Sequence, residues 1–440
     1  MNVEKVLPRA FVLTGAFWVI CRNSLYLREL ANRDITILVI TPESYRQGAE
    51  AARDDRQSVT ALIAEIAYVQ GALDREASFN PSVIAALQQW QQQYRIVGAF
   101  AVGETLVEPT GIVADALGLC SPGLRATRVC RSKYLQRFYL SQFSPLSRVI
   151  APEKRQEIDW STLSWPLILK PATRHSSSGV ISVDNEQQAS AALVDYPAYE
   201  TLLLEQRVVG QEYSVESLVQ HGEIIFSSVT HKMTTDRHSN TFVELAHTVP
   251  GSGSENALLL DAAQQVLRDL DFSDGIAHSE WRLCSDGKPY LMEIAARTPG
   301  DGILPLYRLA CGEPLESAII KIMLGEKASY PAARRVARQV YLEHCPGVLK
   351  DVQVCWPGVQ VSWIEDSQTW PEILPGLPQD APALRAVFVH KKRGERLTAL
   401  HSSDDRAVTF FIDATCEEDL DRLEAEVRTT ITVDIEAYHD

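Results

Sequence analysis

Residues 275–297 read GIAHSEWRLCSDGKPYLMEIAAR, with Glu280 and Glu293 on either side of the turn-forming run Ser285, Asp286, Gly287, Lys288. Two apolar-rich segments joined by such a run form an antiparallel hairpin, and folding at the turn brings the two carboxylates together. Close carboxylates repel unless a cation sits between them. Mg²⁺ takes hard oxygen ligands, commonly one or two carboxylates with substrate phosphates. An arbitrary pair of hairpin glutamates belongs on the surface more often than not. Here both lie among apolar neighbours, and Arg297 follows four residues after Glu293. An arginine beside a metal and phosphate stabilises phosphoryl charge during transfer.

Upstream, PLILKPATRHSSSGV (166–180) reads as a strand that delivers Lys170 into a loop of small residues, Ser177 and Gly179 among them. Backbone N–H groups and hydroxyls of such a loop can close over phosphates. His175 would touch phosphate or cap the turn. Further on, LLEQRVVGQE (203–212) gives an apolar strand, a connector and an acid. The connector can hydrogen-bond adenine through its backbone, leaving Glu212 for ribose hydroxyls.

The first 120 residues have a different rhythm. Continuous apolar runs at 11–15, 34–40 and 95–101 suit parallel strands covered on both faces. A helical stretch at 22–32, two helices over 59–93 that break at Asn80-Pro81, and a helix over 104–117 stopped by Gly118 separate them. This is a doubly wound α/β domain without G-x-G-x-x-G, so dinucleotide binding there has no support. The middle third, with short strands at 167–170, 202–205, 212–219, 224–230 and 290–294 and a helix over 261–270, reads as α+β. Beyond about residue 330 come strand-like runs at 338–342, 386–389 and 408–412 and a charged helix over 417–429. The Pro-rich piece 370–382 reads as a surface loop. The expected domains are therefore 1–120, 121–330 with 165–230 as a lid, and 331–440.

Composition bounds the partners. Among 440 residues, 42 Lys and Arg face 57 Asp and Glu, a formal charge of -15. Such a field repels nucleic-acid backbones and anionic membranes while leaving room for a local basic pocket for a small anion. The apolar run from Ala10 to Cys21 lacks a small-x-small cleavage site after it, and no stretch approaches the length of a membrane span. Eight cysteines without C-x-x-C suit reduced thiols. A cytoplasmic location with no nucleic-acid or membrane partner is the expectation.

The order of these motifs over about 95–305 resembles the ATP-grasp superfamily, and within it the carboxylate-amine ligases that include the L-amino-acid ligases. The resemblance implies an ATP-grasp fold with ATP and Mg²⁺ as cofactors, Mn²⁺ being an alternative metal. It implies Lys133, on a helix after Ala116-Leu-Gly-Leu119, and Lys170 as the nucleotide-binding lysines. By the same likeness Glu205, Gln206 and Val208 form the adenine hinge, Glu212 binds ribose, and Glu280 and Glu293 hold magnesium. Arg297 would bind phosphate and the intermediate. TFVELAHTVP (241–250) is similar to the family's first-substrate segment, so that Glu244 pairs with an α-ammonium while His247 and Arg297 hold the carboxylate oxyanion. One departure is Ala295, where many members carry Asn two residues after the second metal glutamate.

The implied reaction phosphorylates a carboxylate, most simply that of an amino acid, and lets an amine, a second amino acid, attack the acyl phosphate to give an amide, ADP and phosphate. Rivals are another ATP-grasp reaction, such as carboxylation or purine-pathway ligation, and a non-catalytic ATP-binding regulatory protein. Homodimers are common among similar ligases. Asp301, in the loop after Arg297, would satisfy turn amides or receive the incoming amine, and the turn is favoured.

Overall fold

The first strand, Arg9–Thr14, is buried from Ala10 onward and is paired in parallel on both sides, which accounts for its unbroken apolar run. The computed structural model describes residues 7–55, 58–174, 178–237, 239, 241–367 and 370–437. Four parallel strands form the N-terminal sheet in the order Ile63–Val69, Thr36–Pro42, Arg9–Thr14, Arg95–Ala101. Gly15 ends the first strand at φ +142, and a Cβ there would lie 2.3 Å from the Val102 carbonyl oxygen, so the turn requires glycine.

Two local expectations need correction. Residues 59–69 do not form a helix: a short 3-10 turn, Val59–Leu62, leads into the edge strand Ile63–Val69. The Ala and Ile spacing there fits a helix face, but Ile63, Ile66, Tyr68 and Val69 favour a pleated surface, and parallel pairing with Thr36–Pro42 decides it. The helix expected over 22–32 is two, Phe17–Arg22 and Leu25–Ala31. The helix after Asn80-Pro81 forms as Asn80–Trp90, with Pro near its start.

A small antiparallel sheet contains Ser147–Ile150, Leu202–Gln206, Leu167–Pro171 and Ile181–Val183 in spatial order. Facing it, a nine-stranded sheet runs from the hairpin Gly275–Leu283 and Pro289–Ala295 through Gln211–Gln220, Glu223–Thr234 and Glu244–Val249. It continues into Val336–Leu342, Val408–Ala414, Ala383–Val389 and Val361–Trp363. Strands from either side of residue 330 thus share one sheet, joined where Ala246 faces Val340. Residues 211–230, read from sequence as part of a lid, lie in this large sheet. Three further strands, Gly347–Val354, Arg396–Leu397 and Ile431–Glu436, make a separate small sheet near the C-terminus. No helix among the described residues is long and apolar enough to cross a membrane.

Candidate active site

The hairpin at 275–295 sets the site. Side chains alternate across a strand, so His278, Glu280 and Arg282 face one side and line a cavity of about 780 Å³. Ala277 and Trp281 face the other way into the core. Glu280 stands directly opposite Glu293 in the antiparallel register. Each carboxylate is tethered by one oxygen: Glu280 Oε1 accepts from Lys232 Nζ at 2.6 Å and His278 Nε2 at 3.3 Å, and Glu293 Oε1 from Lys133 Nζ at 3.0 Å. No hydrogen bond among the described residues uses either Oε2. Burial alone would raise the Glu280 carboxyl, but Lys232 and His278 hold it well below the usual carboxylate range.

Lys232 is almost fully buried and also lies 3.7 Å from Glu244 and 3.9 Å from Glu212. Burial would lower its ammonium; the three carboxylates raise it above its ordinary value instead. Glu212 is further bound by Arg282 at 2.7 Å, and burial still leaves its carboxyl raised. Behind Glu280, His278 donates from Nδ1 to buried Glu216 at 2.8 Å, so a second carboxylate orients the imidazole. Two ionised carboxylates, each with a free oxygen on the cavity, fit a hard divalent cation whose other ligands are phosphate and water. Ala295 offers no third ligand on that strand, and among the described residues no group of three or more His, Cys, Asp or Glu could hold a metal.

Lys170 reaches the cavity from the small sheet and pairs with Glu205 at 2.6 Å. Arg137 holds the same carboxylate at 2.6 Å. Burial resists ionisation of Glu205, yet the two cations bring it down to about 2. Burial is also the largest influence on Lys170 and, reinforced by Arg137, outweighs Glu205 and lowers the ammonium to about 8. The Glu205 side chain is therefore committed to charge neutralisation, and only the backbone of Glu205 to Val208 is left to meet a base. Gly210 presses this connector onto the hairpin end, where a Cβ would come 2.2 Å from the Leu283 carbonyl oxygen. Gln206 and Val208 line the cavity, as do Ser178 and Val180 on either side of Gly179. Gly179 has φ +72 and its carbonyl accepts from Tyr196 at 2.6 Å. His175 and Ser177 lie outside the described residues.

The same cavity extends past Glu244 and His247 to Arg297 and Asp301. Arg297 gives Nε to buried Glu104 at 2.8 Å and Nη1 to the Thr298 carbonyl, and among the described residues Nη2 has no hydrogen bond. His247 donates from Nε2 to Asp301 at 2.8 Å, while its buried Nδ1 has no partner among the described residues. Asp301 does not serve the turn with its side chain. At φ +49 it turns its carboxylate to Arg406, which binds both oxygens at 2.9 and 2.6 Å. Burial opposes this carboxylate, and Arg406 and His247 hold it well below its ordinary range.

Residues 163–305 match the ATP-grasp domain family, which takes in the Lys170 strand, the 205–208 connector and the whole glutamate hairpin. This segment is an ATP-grasp domain. An L-amino acid ligase from Bacillus licheniformis has the same fold, with a TM-score of 0.74 at 17% identity over 98% of this chain and 99% of the other. A phosphoribosylglycinamide synthetase from Anaerococcus prevotii superposes with a TM-score of 0.63 at 13% identity, covering 98% and 100% of the two chains. In sequence, an alanine–anticapsin ligase from Bacillus subtilis is 22% identical over 289 residues, 57% of this chain. The match covers 60% of that relative's own length.

Several residues of this ATP-grasp cavity escape a linear reading. Arg282 and Glu280 share a strand face two residues apart, and Arg137 follows Lys133 by one helical turn, so the period of each element carries the signal. Glu104, Arg406 and Asp301 come together only through long-range packing, and no local spacing announces them.

Proposed function

We propose that this chain is an ATP-dependent ligase that activates a carboxylate as an acyl phosphate and joins it to an amine, with amino acids as substrates. The observation that carries the reading is the opposition of Glu280 and Glu293 in one cavity that Lys133, Lys170, Glu244, His247 and Arg297 also line. The names of the relatives, L-amino acid ligase and alanine–anticapsin ligase, agree with it.

Bound Mg²⁺ would neutralise phosphate charge at Glu280 and Glu293. Lys133 and Lys170 bind the nucleotide phosphates, the 205–208 connector receives adenine, and Glu212 receives the ribose. Glu244 takes the ammonium of the first amino acid, which places its carboxylate oxygen to attack the γ-phosphorus as ADP leaves. The amine nitrogen then attacks the acyl carbon and phosphate departs, while the free Nη2 of Arg297 and the His247 imidazole steady the oxyanion. An acyl phosphate must be kept from water, and the small sheet of Ser147–Ile150, Leu167–Pro171, Ile181–Val183 and Leu202–Gln206 is the element that would close.

The test is Mg²⁺-dependent phosphate release from ATP across paired amino acids, with ADP and AMP separated and the product weighed. ADP and an amide product with a particular pair are expected. A requirement for bicarbonate would replace ligation by carboxylation, AMP would exclude the acyl phosphate, and ATP binding with no turnover on any pair would leave a regulatory protein.

ATP affinity should fall on the alkaline side with a midpoint near pH 8. The charged ammonium of Lys170 binds phosphate; it predominates below its value of about 8 and is lost as pH rises through it. Titration of ATP binding between neutrality and mild alkali checks this, and Lys170→Arg should remove the inflection. Asp301→Asn keeps the left-handed backbone that Asn tolerates but withdraws the charge that holds Arg406 and His247. The expected result is a rise in KM for the carboxylate substrate of about 10- to 100-fold with little change in KM for ATP.

A further inference from the structure

We propose that Arg22 is the receptor for a carboxylate carried by the amine substrate. The inference rests on the ligase reading above and names the group that reading leaves without a partner.

Arg22 ends the helix Phe17–Arg22 and projects into the cavity from the N-terminal sheet's side of the molecule. Its guanidinium lies over the Trp370 ring at 4.9 Å. Trp370 meets His390 edge-on at 5.6 Å, His390 packs on Tyr341 at 6.0 Å, and Arg406 lies over Tyr341 at 3.8 Å. This aromatic wall fixes Arg22 in the part of the cavity that holds Asp301. The loop read from sequence as a plain surface connection thus supplies a wall of the site through Trp370.

Among the other arginines of this cavity, Arg174, Arg282, Arg297 and Arg406 each bind a carboxylate, and Arg207 lies by Phe242 and donates to Ser182. Arg22 has no hydrogen bond or ion pair among the described residues. The acid whose field it feels, Asp301, already binds Arg406 and His247. Burial lowers the Arg22 guanidinium, and Arg406 opposes its charge further. A desolvated cation without a counter-ion is costly, and an arriving carboxylate matches the guanidinium fork with two parallel hydrogen bonds. Beside it, burial keeps the His390 imidazole neutral, with a pKa lowered to about 3, and its Nε2 has no partner among the described residues.

The ligand follows from the chemistry. The carboxylate of the first amino acid is consumed in the acyl phosphate between Arg297 and His247. When the incoming amine is itself an amino acid, its own carboxylate does not react and persists in the product. Once the cavity closes, that charge needs a fixed cation, and Arg22, held on Trp370 in the part of the cavity near Asp301, is the arginine there without a carboxylate among the described residues.

The experiment compares L-amino acids with their carboxamides as the amine partner, at a fixed first substrate, in the wild type and in Arg22→Met and Arg22→Lys. In the wild type the acid should exceed the amide in kcat/KM by about 10- to 100-fold. Arg22→Met should erase that preference by lowering the acid alone, and Arg22→Lys should restore part of it. Equal losses for acid and amide, or no loss, would overturn the assignment. Calorimetric binding of the same acids and amides to the full chain with Mg²⁺ and a non-hydrolysable ATP analogue gives a reading without turnover. Preference for the acid that depends on Arg22, without ligation, sinks the ligase reading and keeps the subsite. Ligation without preference sinks the subsite and keeps the ligase.

Discussion

Glu293→Gln is expected to lower turnover by about 10³-fold, the scale on which a group that stabilises developing charge contributes to a transition state. The substitution keeps the shape and the strand pairing and removes one negative charge opposite Glu280. Lys133 would also lose its 3.0 Å ion partner, so the lysine proposed for phosphate and the oxygen proposed for the metal would fail together. Because Glu293 is partly exposed and its neighbours in the strand are unchanged, thermal unfolding should remain cooperative and near the wild-type midpoint. Raising Mg²⁺ should recover some activity if the defect is weakened metal binding. Wild-type turnover in this variant would remove the metal assignment, and a collapse of the fold would recast Glu293 as structural.

The second large effect concerns stability. Glu205→Gln leaves Arg137 and Lys170 buried side by side without the carboxylate between them. Removing one member of a buried charged group costs about 3–5 kcal/mol, because the remaining charge is neither solvated nor paired. The loss should concentrate in the small sheet, since Glu205 sits in its central strand Leu202–Gln206. Hydrogen exchange should accelerate there and in Leu167–Pro171, with the N-terminal sheet protected as before. ATP binding should weaken as well, through a displaced Lys170. The stabilising contribution of Glu205 is present above its unfolded carboxyl value and is lost only as pH falls toward about 2. Unaltered exchange in both strands would show that the two cations are neutralised elsewhere.

The parts of this molecule legible in sequence are those encoded by neighbours. The glutamate hairpin announces itself because turn residues and two acids fall within one short segment, and the large sheet then holds them in register. The buried N-terminal strands are equally plain, since parallel pairing on both sides demands continuous apolar residues. Ile63–Val69 is not plain: seven residues of mixed Ala, Ile and Tyr satisfy either period, and only the vacant edge of Thr36–Pro42 makes them a strand. Asp301 misleads for another reason. Its place after Pro299 and Gly300 is that of a turn residue, and the backbone does turn there, but Arg406, more than a hundred residues on, claims the side chain. Arg22 and Trp370 are separated still further, and their stacking follows from tertiary packing alone.

The sheet that crosses residue 330 has a consequence for how such a protein can be rebuilt. The matched segment 163–305 carries the hairpin and the hinge, yet Lys133 and Arg22 precede it, and Trp370 and Arg406 follow it. A graft that exchanges everything after residue 330 with a relative would cut between Glu244–Val249 and its partner strand Val336–Leu342. Such a chimera keeps the recipient's Arg22, Glu244, His247 and Arg297 and takes from the donor only the wall that Trp370 and Arg406 supply here, provided the two strands still zip in the same register. The seam at Ala246 and Val340 is therefore the place where a transplanted wall must fit the cavity it closes.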